Sequence, residues 1–104
     1  MFKTSQQDLK IRIYYEDTDS GGIVYHSKYL NFAERGRSEF LRKRNLEQNK
    51  IRKEYEIIFI VKALNIDYLG SAYLDDIIVV KTEICQLNKA KVIFEQAIMK
   101  EEII

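Results

Sequence analysis

Chemistry could be done in the stretch Asp17-Thr18-Asp19-Ser20-Gly21-Gly22-Ile23-Val24-Tyr25-His26-Ser27, which holds two carboxylates, two adjacent glycines and the chain's single histidine. A carboxylate can attack a carbonyl carbon or take a proton from water. Gly21 and Gly22 can adopt backbone angles closed to other residues, so the chain can turn tightly there and approach a ligand. A helix beginning near Ser27 would present unpaired N–H groups and a partial positive charge. One such donor aimed at a developing oxyanion contributes about 3–4 kcal/mol. Asp19 is placed to be the carboxylate, upstream of His26 at the helix start.

Spacing alone leaves a second reading open, in which Asp17 and Asp19 only satisfy stray N–H groups of the loop and the helix. His26 likewise reads either as a site residue or as a structural one. A calcium loop beginning at Asp17 would need an Asp or Asn at its fifth position and a Glu at its twelfth. Gly21 and Lys28 stand there, which argues against calcium.

These residues must be positioned by the elements on either side. Lys10 to Glu16 alternates, with Ile11, Ile13 and Tyr15 on one face, and reads as a half-buried strand ending in the loop. A helix is expected from about Ser27, which can cap it, to Arg44. Tyr29, Phe32, Ala33, Gly36 and Phe40 fall on one face of it. Gly36 costs about 1 kcal/mol relative to Ala on that face, and close approach to a sheet would compensate.

Asn45 to Glu56 is charged, with room for a short helical turn. Ile57 to Tyr68 reads as a long strand, broken by Gly70-Ser71. Asp76 to Cys85 and Lys91 to Met99 read as the two arms of a hairpin turning over Leu87 to Ala90. Ile103 and Ile104 resemble the start of another strand. This order, one long helix after the first strand and then antiparallel strands, predicts an α+β fold with a curved sheet wrapped around the helix.

Composition narrows the classes. The 104 residues make one domain, 1–104, of common size. Seventeen basic residues against sixteen acidic ones leave a net charge of +1, without the basic surplus expected of a nucleic-acid binder. One cysteine and one histidine leave no material for a cysteine cluster or a multi-histidine zinc site, so no metal is expected. The longest fully apolar run, Ile57 to Val61, is too short for a membrane span, and the polar start lacks a leader, so a cytoplasmic protein is expected.

Tyr14, Tyr15, Tyr25 and Tyr29 read as core and interface residues, and Cys85 as a small core residue. Arg35, Arg37, Arg42, Lys43 and Arg44 read as a solvated helix face, with phosphate binding as the alternative.

Arg12 to Tyr29 closely resembles the active-site signature of the 4-hydroxybenzoyl-CoA thioesterase family, in particular its YbgC-type branch, encoded with the bacterial Tol-Pal system. Tyr29 to Arg42 fits the helix of that branch, and Tyr68 and Leu74-Asp75-Asp76 with the strand after them fit as well. The resemblance implies a hotdog fold and hydrolysis of acyl-CoA thioesters, with short acyl chains expected and carrier-protein thioesters open.

It assigns Asp19 as nucleophile or general base. His26 offers its backbone N–H to the thioester oxygen, and in this branch its side chain is also implicated. Tyr25, Gly21 and Gly22 shape the pocket. No cofactor is implied, and homodimers or homotetramers are, with sites at the dimer interface. Where the family often has a proline, near Gly70, this chain uses glycine. Related chains carry a further strand, lying inside the sheet, after the one at Lys91–Met99. A truncated or split-gene chain of lowered stability is therefore expected, and a non-catalytic remnant that binds acyl-CoA or a protein partner is the alternative function. Dehydration of acyl thioesters fits the motif less well than hydrolysis.

Overall fold

Three strands of alternating pattern pair into one antiparallel sheet in the order β1-β2-β3: β1 (Gln7–Arg12), β2 (Ile77–Leu87) and β3 (Val92–Lys100). The structure is a computed structural model describing residues 6–56, 58–88 and 90–101. Leu9 lies opposite Val80 and Ile11 opposite Ile78, while Val80 and Ile84 face Ile98 and Phe94 of β3. A side-chain period of two therefore sends one apolar row of each strand to the same face.

Helix α1 (Lys28–Lys43) lies on that face. Phe32, Gly36 and Phe40 are buried along its apolar stripe, as the spacing predicts. Phe32 joins Ile13, Val24, Ala72, Ile78 and Val80 in one core cluster, and Phe40 joins Leu41 and Ile84 in a second. Full burial of each phenylalanine stabilises the fold by about 1.5–3 kcal/mol.

Gly36 sits where helix and sheet approach most closely. A Cβ there would lie 2.6 Å from Val80 Cγ1 and 2.9 Å from Thr82 Oγ1. Beside it, Gln96 Nε2 donates to Ala33 O at 2.8 Å and to Thr82 Oγ1 at 2.9 Å, and Arg37 Nη1 donates to Gln96 Oε1. Thr82 is buried, and this clamp satisfies its hydroxyl oxygen.

Several expectations are corrected. The strand expected over Lys10–Glu16 begins earlier and ends at Arg12, although Ile13 still exchanges hydrogen bonds with Asp75 and Asp76. Tyr15–Asp17 then form a 3-10 turn, which ends the alternation, so Tyr15 is 79% exposed rather than aligned with Ile11 and Ile13. Tyr14 and Tyr25 are also exposed. Asn45 to Glu56 does hold a short helix, α2 (Gln48–Tyr55), closed by Glu56 in the left-handed region.

The largest departure is the strand expected over Ile57–Tyr68. Residues 58–68 join no ladder. Their sequence has strand character, but a strand forms only against a neighbouring edge, and none reaches them among the described residues. Ile57 itself lies outside those residues, as do Lys89 in the hairpin turn and the expected strand start at Ile103 and Ile104. Cys85 is exposed rather than buried: a register shift between Ile84 and Gln86 interrupts the alternation at Cys85. Among the basic residues, Arg35, Arg42 and Lys43 are solvated, whereas Arg37 is tied to Gln96 and Arg44 stacks on Phe40. No helix among the described residues is long and apolar enough to cross a membrane.

Candidate active site

Residues 17–25 fold back on themselves as a small hairpin. Tyr25 N–H donates to Asp17 O, Asp19 N–H donates to Ile23 O, and Thr18 and Val24 are bridged between them. The tip is a tight turn in which Gly22 N–H donates to Asp19 O at 3.1 Å. Gly22 has φ +78°, the left-handed geometry that a three-residue hairpin loop requires at its end. Gly21 N–H donates to Asp19 Oδ1 at 2.9 Å, the side-chain turn that Asp favours at the first turn position. One carboxylate oxygen is thus fixed, while Oδ2 accepts no hydrogen bond from a described residue, and the side chain is exposed.

The two acids have separate places. Asp17 is 5% exposed; its Oδ2 accepts the Tyr14 N–H at 3.0 Å, and Lys28 Nζ lies 4.0 Å from Oδ1. It holds the 3-10 turn and carries the role of satisfying stray loop donors. Asp19 makes one such bond and keeps its other oxygen open.

The hairpin delivers the chain directly to the start of α1. Ser27 is the N-cap but makes no side-chain capping bond. Its backbone is already helical, so the turn continues upstream, with Lys28 N–H on Tyr25 O and Tyr29 N–H on His26 O. The His26 N–H is left without an acceptor among the described residues, one of the free donors of a helix start. Asp19 therefore stands at the inner rung of this hairpin and His26 at its exit into α1, with Gly21 and Gly22 at the tip.

Aromatic rings surround the helix start. Tyr25 stacks obliquely on the His26 ring with centroids 4.5 Å apart. Tyr68 stands edge-on to His26 and donates from its hydroxyl to His26 O at 3.2 Å. The Tyr29 hydroxyl accepts the Ala72 N–H at 3.0 Å. Reading along the chain does not single out Tyr68 as a site residue, because the contact spans 42 positions and no local pattern announces it. Together the carboxylate, the free N–H and the aromatic wall could hold a carbonyl compound, attack it and accept the charge that develops on its oxygen.

Comparison with known proteins bears on which carbonyl compound. The family model described as "Thioesterase superfamily" matches residues 21–104. The chain is 46% identical to "Acyl-CoA thioesterase YbgC" of Haemophilus influenzae over 93 residues, covering 89% of this chain and 68% of that one. It is 39% identical to "Acyl-CoA thioester hydrolase YbgC" of Escherichia coli over 92 residues, covering 88% and 68%. Among solved structures, the "Probable Thioesterase from Bartonella henselae" superposes with a TM-score of 0.88 at 37% identity, covering 94% of this chain and 82% of the other.

Proposed function

The chain belongs to the thioesterase superfamily, and from that premise we propose that it hydrolyses acyl-CoA thioesters with Asp19 as the catalytic carboxylate and His26 at the oxyanion. It is an enzyme of the acyl-CoA thioesterase kind with a hotdog fold. The observation that carries the assignment is the divided use of the two aspartates. Asp17 is buried and occupied, whereas Asp19 is pinned through one oxygen by Gly21 N–H with the other open, on the hairpin that leads into the free His26 N–H.

In one route Asp19 takes a proton from water, and the oxygen of that water bonds to the thioester carbonyl carbon. In the other, a carboxylate oxygen of Asp19 bonds to that carbon, and water later cleaves the resulting anhydride. Either way negative charge gathers on the carbonyl oxygen, where the His26 N–H donates to it. Collapse breaks the carbon–sulfur bond and the electron pair leaves on the CoA sulfur, which takes up a proton, from Asp19 in the first route and from solvent in the second, so that the carboxylate is restored and the products are the free acid and CoA. Tyr25 and the Gly21-Gly22 tip border the acyl group, and no cofactor takes part. Short acyl chains, carrier-protein thioesters as further substrates, a homodimer or homotetramer and a cytoplasmic location complete the reading. The outer edge of β1, unpaired among the described residues, favours assembly.

The test is CoA release from a panel of acyl-CoA esters of increasing chain length by the wild-type chain and by Asp19→Asn. A protein-only blank corrects for the exposed Cys85. Saturable release, reduced by about 10²–10⁴-fold or more in the variant, is expected for loss of the base or nucleophile. Equal release by Asp19→Asn, or none from folded wild-type protein, overturns the assignment; the latter result favours a binding function.

A further inference from the structure

His26 can serve an oxyanion only if its N–H is aimed before charge develops there. No side chain caps the helix at that point, since Ser27 makes no capping bond. Peptide units are planar, so the orientation of His26 is set by the two planes that flank it. The plane on the Tyr25 side is held by the backbone, because Lys28 N–H donates to Tyr25 O at 2.9 Å. Within one trans unit the C=O and N–H point in opposite directions, so this bond aims the His26 N–H out of the helix start. The plane on the Ser27 side is held less well. Tyr29 N–H reaches His26 O at 3.4 Å, beyond the usual ~2.9–3.0 Å. The same oxygen accepts the Tyr68 hydroxyl at 3.2 Å, from 42 positions along the chain. Neither bond is short, and together they hold the carbonyl with two donors.

Tyr68 also limits the side chain. Its ring stands edge-on to the imidazole with centroids 6.4 Å apart, and Tyr25 lies against the same imidazole at 4.5 Å. A change of rotamer at His26 would break both contacts. Tyr68 is anchored in turn. Its ring meets Tyr29 edge-on at 5.8 Å, and the Tyr29 hydroxyl accepts the Ala72 N–H at 3.0 Å. Residues 58–68 join no ladder, so Tyr68 is tied to α1 through these ring and hydroxyl contacts rather than through strand pairing.

We infer that Tyr68 is a positioning residue for thioester hydrolysis: its hydroxyl fixes the His26–Ser27 peptide and its ring fixes the imidazole. The inference rests on the role proposed for His26. Tyr68 takes no proton and forms no bond to the substrate in this role. A misaimed oxyanion donor weakens the transition state more than the bound ester, so loss of Tyr68 acts on kcat rather than on KM.

CoA release from one acyl-CoA ester is compared in wild type, Asp19→Asn, Tyr68→Phe, which removes only the hydroxyl, and Tyr68→Leu, which removes the ring as well. In Tyr68→Phe kcat should fall about tenfold, with KM within about twofold of wild type. Its midpoint in urea unfolding should match wild type. The Ser27 amide, on the plane that Tyr68 holds, should drop from an NMR order parameter of about 0.85 toward ~0.6. The His26 ring signals should hold in Tyr68→Phe and move in Tyr68→Leu, where kcat falls further. Turnover that needs Asp19 but is equal in Tyr68→Phe overturns this inference and leaves the hydrolytic reading standing. So does a loss of kcat with an unmoved Ser27 amide, or one accompanied by a lowered unfolding midpoint, which makes Tyr68 a structural residue only. Turnover absent from folded wild-type protein, or unchanged in Asp19→Asn, overturns the hydrolytic reading and this inference with it.

Discussion

Replacing Gly36 by alanine tests the packing that positions the start of α1. The new Cβ would lie 2.6 Å from Val80 Cγ1, 2.9 Å from Thr82 Oγ1 and 3.0 Å from Gln96 Nε2. Val80 is fully buried and Thr82 nearly so, and both are β-branched side chains on the central strand, so neither can swing aside. Overpacking of this kind costs about 1–3 kcal/mol. Displacing Gln96 from Thr82 adds up to about 1 kcal/mol for the lost hydrogen bond. Alanine returns about 1 kcal/mol through its better helix propensity. The net loss is about 2 kcal/mol, which lowers Tm by roughly 8–16 °C in a domain of this size.

Urea and thermal unfolding followed by circular dichroism measure it, with Gly70→Ala as control, since a Cβ there meets nothing within 4 Å. The control should stay within about 0.5 kcal/mol of wild type. In Gly36→Ala/Val80→Ala the smaller strand residue makes room, so the two losses should add to less than their sum by about 1 kcal/mol. A Gly36→Ala protein as stable as wild type would refute the close contact between helix and sheet.

Asp17→Ala leaves the Tyr14 N–H without its acceptor and should cost about 1–3 kcal/mol in urea unfolding. Asp17→Asn keeps an acceptor and should retain CoA release, in contrast to Asp19→Asn. Tyr29→Phe removes the acceptor of the buried Ala72 N–H and should cost about 1–2 kcal/mol, again read by unfolding. The Cys85 thiol is held above its ordinary pKa of 9.0 by partial loss of solvent, then by the Glu95 carboxylate through charge and hydrogen bond, and then by Glu83. Its thiolate is therefore scarcer than that of a free thiol at pH 8. Alkylation by iodoacetamide should show a midpoint above that of a free cysteine thiol measured alongside, and Glu95→Gln should lower that midpoint and speed the reaction at pH 8.

What the sequence determined by itself was local. The helical stripe of Phe32, Gly36 and Phe40, the hairpin arms of β2 and β3 and the breaker cluster at Asp17–Gly22 are written in periods of 3.6 and 2 and in turn residues, which act over a few positions. The motif from Asp17 to Ser27 likewise put Asp19 and the two glycines in a loop leading to His26 at a helix start, because turn residues and helix starts act on their own neighbours, while the hairpin form of that loop came from the structure. Only the tertiary structure separated the two aspartates, burying Asp17 under the 3-10 turn and leaving Asp19 open. It alone brought Tyr68 to His26, exposed Cys85 at a bulge and left residues 58–68 without the ladder their composition favours. The physical reason is the same in each case. Burial, long-range contact and strand pairing depend on what lies opposite a residue in space, and a chain's local pattern can state its own preference but not supply the neighbour that satisfies it.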